Sequence, residues 1–245
     1  MEDHEYQVMY EVESSHWWFV SRRVFVSTLL TNAWRKRTSR VILDIGAGTG
    51  GMVSLLSRYG KVIGIEPNKK ARMLAKKRGV LLRNGKADHT GCAPLSVDVV
   101  CFFDVLYHKG IDDVKALCEA YRVLRPGGWL VITDCAFPAL AGPHDRAVLG
   151  RERYVLSQLS DKVQHAGFRV ITQTYMFFLL FPWVAGKRLF DRIFPGGRGS
   201  DVAPASPLVN RMGIAINQLE AWGLSFVSYP WGSSLFILAQ KKGGV

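Results

Sequence analysis

The 245-residue sequence has only four cysteines, Cys92, Cys101, Cys118 and Cys135, none spaced as C-x-x-C or grouped with histidine. That scarcity removes the sequence signs of a zinc site or a disulfide framework, so reduced thiols and no metal are expected. Long apolar runs are missing too: the most hydrophobic stretch, Met176 to Ala185, is too short to cross a bilayer and contains Pro182. The start, Met1-Glu2-Asp3-His4-Glu5, is acidic and shows no apolar segment of the signal-peptide kind. These absences read as a soluble cytoplasmic protein. No internal repeat is visible. Acidic residues are in deficit, 20 against 32 Lys and Arg, giving a formal net charge of +12. Such an excess favours anionic partners: nucleic acid, an acidic membrane, or substrates bearing phosphate or carboxylate.

What is present suits one globular domain with an ordinary core, at 48% hydrophobic and 21% charged residues. Lys69, Lys70, Arg72, Lys76, Lys77 and Arg78 surround a single predicted helix. A nucleic-acid footprint would add aromatics or a recognised binding module beside it. Neither lies there, so the run reads as a solvated helix and nucleic acid is not the expected partner.

From Arg40 to Cys135 apolar runs alternate with helical patterns, as in a parallel α/β sheet. Strands are expected at Val41–Ile45, Val62–Glu66, Val80–Leu82, Val97–Phe103 and Trp129–Thr133. Helices fall between them: Met52–Tyr59, a basic helix capped by Asn68 and stopped at Gly79, and one opened by Asp112 or Asp113. Beyond Cys135 a helix over Tyr154–Ala166 and a strand over Phe168–Thr174 follow. An aromatic, Pro/Gly-rich stretch then carries helices near Val184–Ile193 and Leu208–Trp222, before a last strand at Ser234–Gln240.

The first strand runs into Asp44-Ile45-Gly46-Ala47-Gly48-Thr49-Gly50, and a helix follows. Absent side chains let backbone press against a ligand, and a helix N-terminus offers free N–H groups. Gly46, Gly48 and Gly51 also satisfy the G-x-G-x-x-G dinucleotide pattern, with Glu66 about 20 residues on. In either reading the Glu66 carboxylate accepts hydrogen bonds from a ribose diol. Asp44, two residues before the first glycine, would repel a pyrophosphate and suits a cationic amino-acid ligand instead. The Arg122-to-Gly128 run before the fifth strand and the apolar strand that ends the chain point the same way.

Together these features resemble the class I S-adenosylmethionine-dependent methyltransferases. The resemblance implies a Rossmann-like, doubly wound, seven-stranded α/β sheet, mostly parallel with a reversed last strand. Residues 1–245 would form one domain: a helical cap over 1–39, a core of 40–176 and 233–245, and an aromatic helical insertion over 177–232. A finer likeness, to a bacterial small-molecule group, rests on His16-Trp17-Trp18-Phe19 with Arg22-Arg23, on Asp104-Val105-Leu106-Tyr107-His108, and on His144-Asp145 through Arg151, Arg153 and Tyr154. The chain departs from that group in having Tyr107 where glutamate is usual and Leu149-Gly150 where Gly-His is usual.

The resemblance implies roles. Asp44, Gly46, Gly48 and Gly50 would line the methionine part of S-adenosyl-L-methionine, Glu66 its ribose and Asp88 its adenine amino group; the product would be S-adenosyl-L-homocysteine. Asp88 also reads as an ordinary loop carboxylate, and Asp104, at the end of the fourth strand, either binds in the crevice or caps the next element. His108, His144 and His16 are the candidate bases, with His108 foremost for its place beside the strand-four edge, although for any single histidine a structural role is the commoner reading. Trp17, Trp18, Phe19, Tyr107 and Tyr154 are candidate substrate contacts, and Tyr175, Phe177, Phe178, Phe181 and Trp183 a candidate far wall. Arg22, Arg23, Arg151 and Arg153 either clamp a substrate carboxylate or phosphate or serve as surface ion pairs. The expected partner is a small molecule, with a peripheral membrane contact and the oligomeric state left open. The rivals are an RNA or lipid-carrier methyltransferase using the basic surface, and a non-methylating cyclase or binding relative.

Overall fold

The computed structural model describes residues 1–34, 40–193 and 205–243. It opens with two helices, α1 (Asp3–Val12) and α2 (Trp17–Ala33), then enters the sheet. Strand β1 (Arg40–Ile45), helix α3 (Val53–Leu56), strand β2 (Gly60–Ile65), helix α4 (Lys69–Lys77) and strand β3 (Leu82–Arg83) make the first half. The second comprises β4 (Val97–Phe103), α5 (Asp113–Val123), β5 (Leu124–Cys135), α6 (Pro143–Ala147), α7 (Leu156–His165) and β6 (Phe168–Met176). Helices α8 (Phe181–Ile193) and α9 (Pro207–Gly223) precede the last strand, β7 (Ser234–Lys241).

The strands form one seven-stranded sheet in the order β3-β2-β1-β4-β5-β7-β6, with β7 antiparallel to both neighbours and the other pairings parallel. Period-two alternation divides the core into two layers. Val100 and Phe102 of β4 and Ile237 of β7 pack with α5 and α7 on one face. Val99 and Cys101 of β4 and Phe236 of β7 pack with Phe25 and Leu30 of α2 on the other. A strand covered on both sides must be apolar throughout, which is why β4 reads Val-Asp-Val-Val-Cys-Phe-Phe. Its one carboxylate, Asp98, accepts from Val41 N at 2.7 Å and pairs with Arg125 at 2.6 Å. Strand order reverses between β1 and β4, and crevices open at the carboxyl ends of strands at such a point.

Several boundaries differ from the sequence expectation. The third strand is Leu82–Arg83 rather than Val80–Leu82, because Val80 is held by a Val80 N to Ala75 O bond at the end of α4. The helix expected over Met52–Tyr59 is only Val53–Leu56; Ser57 Oγ donates to Ser54 O and the chain turns into β2 at Gly60. Strand β5 begins at Leu124, where the backbone leaves α5 already extended, and its register with β4 slips between Val97 and Val99 as Pro126-Gly127-Gly128 passes. Tyr154 is not helical: it bridges Ala136 beside β5, and α7 starts at Leu156. Helix α8 begins one turn early, at Phe181, with Pro182 in the first turn where its missing N–H costs nothing.

The two leading helices lean on different parts of the molecule. Tyr6 of α1 packs with Ala71 and Leu74 of α4. A Cβ on Gly213 of α9 would lie 3.0 Å from Trp17 of α2, and Asn217 Nδ2 donates to Ser21 Oγ at 3.0 Å. No helix among the described residues is long and apolar enough to cross a membrane.

Candidate active site

The turn after β1 is built by its glycines. Gly46 N and Ala47 N donate to Ile65 O at 2.9 and 3.0 Å, which pins the loop to the end of β2. Gly46 sits at φ +71° with Val105 packed over it, so a Cβ there would meet Val105 Cγ2 at 2.6 Å; Gly48, at φ +55°, faces Met9 in the same way at 2.9 Å. Only glycine fits this left-handed, crowded path. Beneath the loop lies a cavity of about 420 Å³, of the size that takes a cofactor or small ligand.

Asp44, Gly46, Gly48, Glu66, Asp88 and Asp104 all line this cavity. Gly50 does not, since the Val80 side chain covers it. The Asp44 carboxylate is 1% exposed and its Oδ2 has no hydrogen-bond partner. Burial pushes its pKa up to about 7; Arg22 opposes that shift and Glu66 adds to it. Glu66 accepts from Gly48 N at 3.0 Å, from Asn68 N at 2.9 Å and from Tyr6 Oη at 3.3 Å. Burial raises its pKa as well, while those backbone and hydroxyl donors work against the rise.

Asp104 follows β4 with a left-handed backbone, φ +57°, fixed by its N–H to Thr133 O at 2.8 Å. That conformation turns its carboxylate to Arg22 of α2, with which it forms a buried ion pair. The guanidinium lies over Trp18 and Phe19, 4.9 and 5.5 Å from the ring centres, and its Nε has no partner. Trp18, Phe19, Arg22 and Tyr107 line the cavity. Trp17 faces Gly213 and Phe177 instead. Arg23 points away, donating to Glu13 O and Ser14 O at 2.8 and 3.3 Å. Adjacent helical residues project about 100° apart, so Arg22 and Arg23 part company.

His108 and His144 are on the cavity wall; His16 is not. His16 caps α2, its Nδ1 accepting from Trp18 N at 3.3 Å. Burial pushes the His108 pKa down to about 4, with the N-terminal ammonium adding to the shift, and its Nδ1 has no partner. His108 is therefore a neutral imidazole at physiological pH.

Arg151, Arg153 and Tyr154 sit behind the cavity wall. Arg151 pairs with Asp113 at 2.9 Å and Glu152 at 2.8 Å, and Arg153 grips Asp145 with two bonds of 2.7 and 3.1 Å. Tyr154 Oη lies 2.7 Å from Asp113 Oδ2 and 3.1 Å from Leu106 O. These contacts brace the segment that carries Tyr107 and His108. Tyr175, Phe177, Phe178, Phe181 and Trp183 do not line the cavity.

Several wall residues were not anticipated. Met9 and Glu13, with Tyr6, close the cavity from α1 and the turn after it. Their i, i+3, i+7 spacing was the available signal of one helix-side stripe. Asp134, fully buried, accepts from Leu106 N at 3.0 Å and Cys135 N at 2.8 Å. Asp104, Asp134 and Cys135 bring donor atoms within 4.8 Å of one another. Burial raises the pKa of all three, and Arg22 pairs with Asp104.

Comparison with known proteins agrees with this geometry. Residues 43–132 match the methyltransferase domain family. A demethylmenaquinone methyltransferase of Tropheryma whipplei is 30% identical over 142 residues, covering 54% of this chain and 57% of that one. The chain spans little more than half the length of the curated relatives it matches. A SAM-dependent methyltransferase structure from Thermotoga maritima aligns with a TM-score of 0.59 at 19% identity, over 97% of this chain and 99% of that one. Phosphoethanolamine N-methyltransferase 2 of Haemonchus contortus, solved with S-adenosyl-L-methionine, gives 0.58 at 21% identity over 87% and 51%. A glycine turn after β1, on a sheet with this strand order, gives the chain the fold of the S-adenosylmethionine-dependent methyltransferases.

Proposed function

We propose that the protein transfers a methyl group from S-adenosyl-L-methionine to a small, partly apolar, anionic metabolite. The observation that carries this reading is the buried, unpartnered Asp44 oxygen on the cavity wall beneath the glycine turn. An orphaned buried carboxylate oxygen costs free energy until a donor reaches it. The cofactor's ammonium is such a donor, and a pyrophosphate is not.

The remaining residues fit the same ligand. Asp44 and the Gly46–Gly48 backbone would hold the methionine part, Glu66 the ribose hydroxyls and Asp88 the adenine amino group. When bound, the cofactor supplies an electrophilic methyl on a sulfonium and departs as the neutral thioether S-adenosyl-L-homocysteine. The protein's share is to orient the acceptor atom in line and exclude water. Trp18, Phe19 and Tyr107 offer an apolar wall for the substrate body. Arg22, held by Asp104 and stacked on aromatic faces, offers its free Nε to an anionic group. His108 offers its unpartnered Nδ1 to the acceptor's proton. With a pKa near 4 it is a weak base, suited to positioning an acidic O–H or N–H rather than ionising an alcohol.

Isothermal titration with S-adenosyl-L-methionine tests the reading. Wild-type protein binds, and Glu66→Ala binds weakly. No heat at millimolar cofactor, with Glu66→Ala indistinguishable from wild type, would end it. Mass spectrometry of products from a panel of aromatic and aliphatic acids then names the substrate by its gain of one methyl group.

A further inference from the structure

Eighteen large apolar side chains are exposed among the described residues, and twelve of them belong to residues 177–232, less than a quarter of the chain. They are ordered. On α9 and the turn beyond it, Leu208, Met212, Leu219, Trp222 and Phe226 recur at intervals of three, four and seven, on one side of the helix. That side runs about 27 Å. The opposite side of α9 is the one that packs, through Gly213, Asn217 and Ala221.

The exposed charges among the described residues of the insertion have one sign. Among residues whose side chains are described, the insertion's one carboxylate is Glu220, which is 1% exposed and accepts from Phe178 N and Leu179 N at 2.8 and 3.0 Å. Its exposed ionic groups among those residues are Lys187 and Arg211. A solvated helix carries charges on its outer side, and this one carries tryptophan, phenylalanine and leucine. Tryptophan and phenylalanine beside Lys and Arg suit the headgroup region of a bilayer. A second copy of this chain would bring +12 against +12, whereas an anionic surface attracts the same charge.

We propose that the outer face of α9 docks the protein peripherally on an anionic phospholipid bilayer. Docking does not depend on the methyl-transfer reading, but the two sites are close. Trp17 and Ser21 of α2 rest on α9, while Trp18, Phe19 and Arg22 of the same helix line the cavity.

Co-sedimentation of the full chain with vesicles tests this, comparing phosphatidylglycerol–phosphatidylcholine mixtures with phosphatidylcholine alone. The protein pellets with the anionic vesicles at least tenfold more tightly than with neutral ones, and rising salt weakens the association. The double variant Leu219→Ser, Trp222→Ser, altered only at exposed positions, loses binding at least tenfold while its cofactor affinity and thermal unfolding stay unchanged. Quenching of wild-type tryptophan fluorescence by brominated lipid gives a second readout that needs no variant. No pelleting with either vesicle, no quenching, or undiminished binding by the folded double variant would each overturn the proposal. So would a solution dimer, seen by light scattering, that the double variant dissociates, which would give the face to a second copy.

Discussion

Thr49 donates its hydroxyl to the Glu13 carboxylate at 2.5 Å, tying the glycine turn to the bend between the two leading helices, 36 residues earlier. Arg78, at the end of α4, closes on the same carboxylate at 2.5 Å. Burial raises the Glu13 pKa, and Thr49 and Arg78 hold it back. The leading helices are thereby part of the cavity wall.

Glu13→Ala breaks that latch and leaves a hydroxyl and a guanidinium short of a partner. We expect a loss of about 2–3 kcal/mol of stability, measured by urea unfolding. Cofactor affinity should fall as well, since α1 is no longer held over the loop. Unchanged affinity would separate α1 from the site.

Asp44 gives cofactor binding a pH dependence. Its pKa near 7 in the free protein means that a cationic ligand must meet a group still half protonated at neutrality. Affinity should drop about tenfold for each pH unit below 7, and Asp44→Asn should bind weakly and flatten the profile. Stability runs the other way. A carboxylate with a raised folded pKa contributes fully below its unfolded value of 3.8, and that contribution is lost as pH rises through about 7. The unliganded Asn variant should therefore be more stable than wild type at pH 8, by roughly 2–4 kcal/mol. Equal stability would show that Asp44 is not buried as described.

Glu66→Ala removes an acceptor that also organises Gly48 and Asn68. Two hydrogen bonds to a charged group are worth about 3 kcal/mol together. Cofactor dissociation should rise by about a hundredfold in calorimetry. Glu66→Gln should recover part of that loss.

His108→Gln tests proton handling. We expect kcat to fall by about a hundredfold, with little change in the KM for the cofactor. The wild-type rate should show no His108 titration between pH 6 and 9, because its pKa lies near 4. A wild-type limb near pH 6.5 that vanishes in this variant would contradict that environment.

Tyr154→Phe probes the brace behind the site. Burial alone would raise the Asp113 pKa, but hydrogen bonds from Tyr154 and Lys162, with the charges of Lys162 and Arg151, bring it below the usual value. A depressed folded pKa stabilises above the unfolded value and is lost as pH falls through the folded one, so this contribution disappears in acid, below about pH 4. The Phe variant should lose about 1–2 kcal/mol at pH 7, and the loss should shrink in acid, as followed by circular dichroism.

Local patterns made much of this protein readable from its residues. The apolar runs Val41–Ile45 and Val97–Phe103 could only be covered strands. Gly46-Ala47-Gly48 with Asp44 before it, and Glu66 after the next strand, specify turn and ligand chemistry within some twenty residues. Each of those signals depends on neighbours along the chain, where spacing and geometry coincide. Long-range contacts decided the rest. Whether an arginine faces a cavity depends on which carboxylate meets it first: Asp104 draws Arg22 inward, whereas Asp113 and Asp145 take Arg151 and Arg153 behind the wall. The closure of α1 over the glycine turn, and the outward turn of the aromatic insertion, follow from which side of each helix finds a partner. Chain order cannot state that, because the partner of Glu13 is Thr49 and the partner of Trp17 is Gly213.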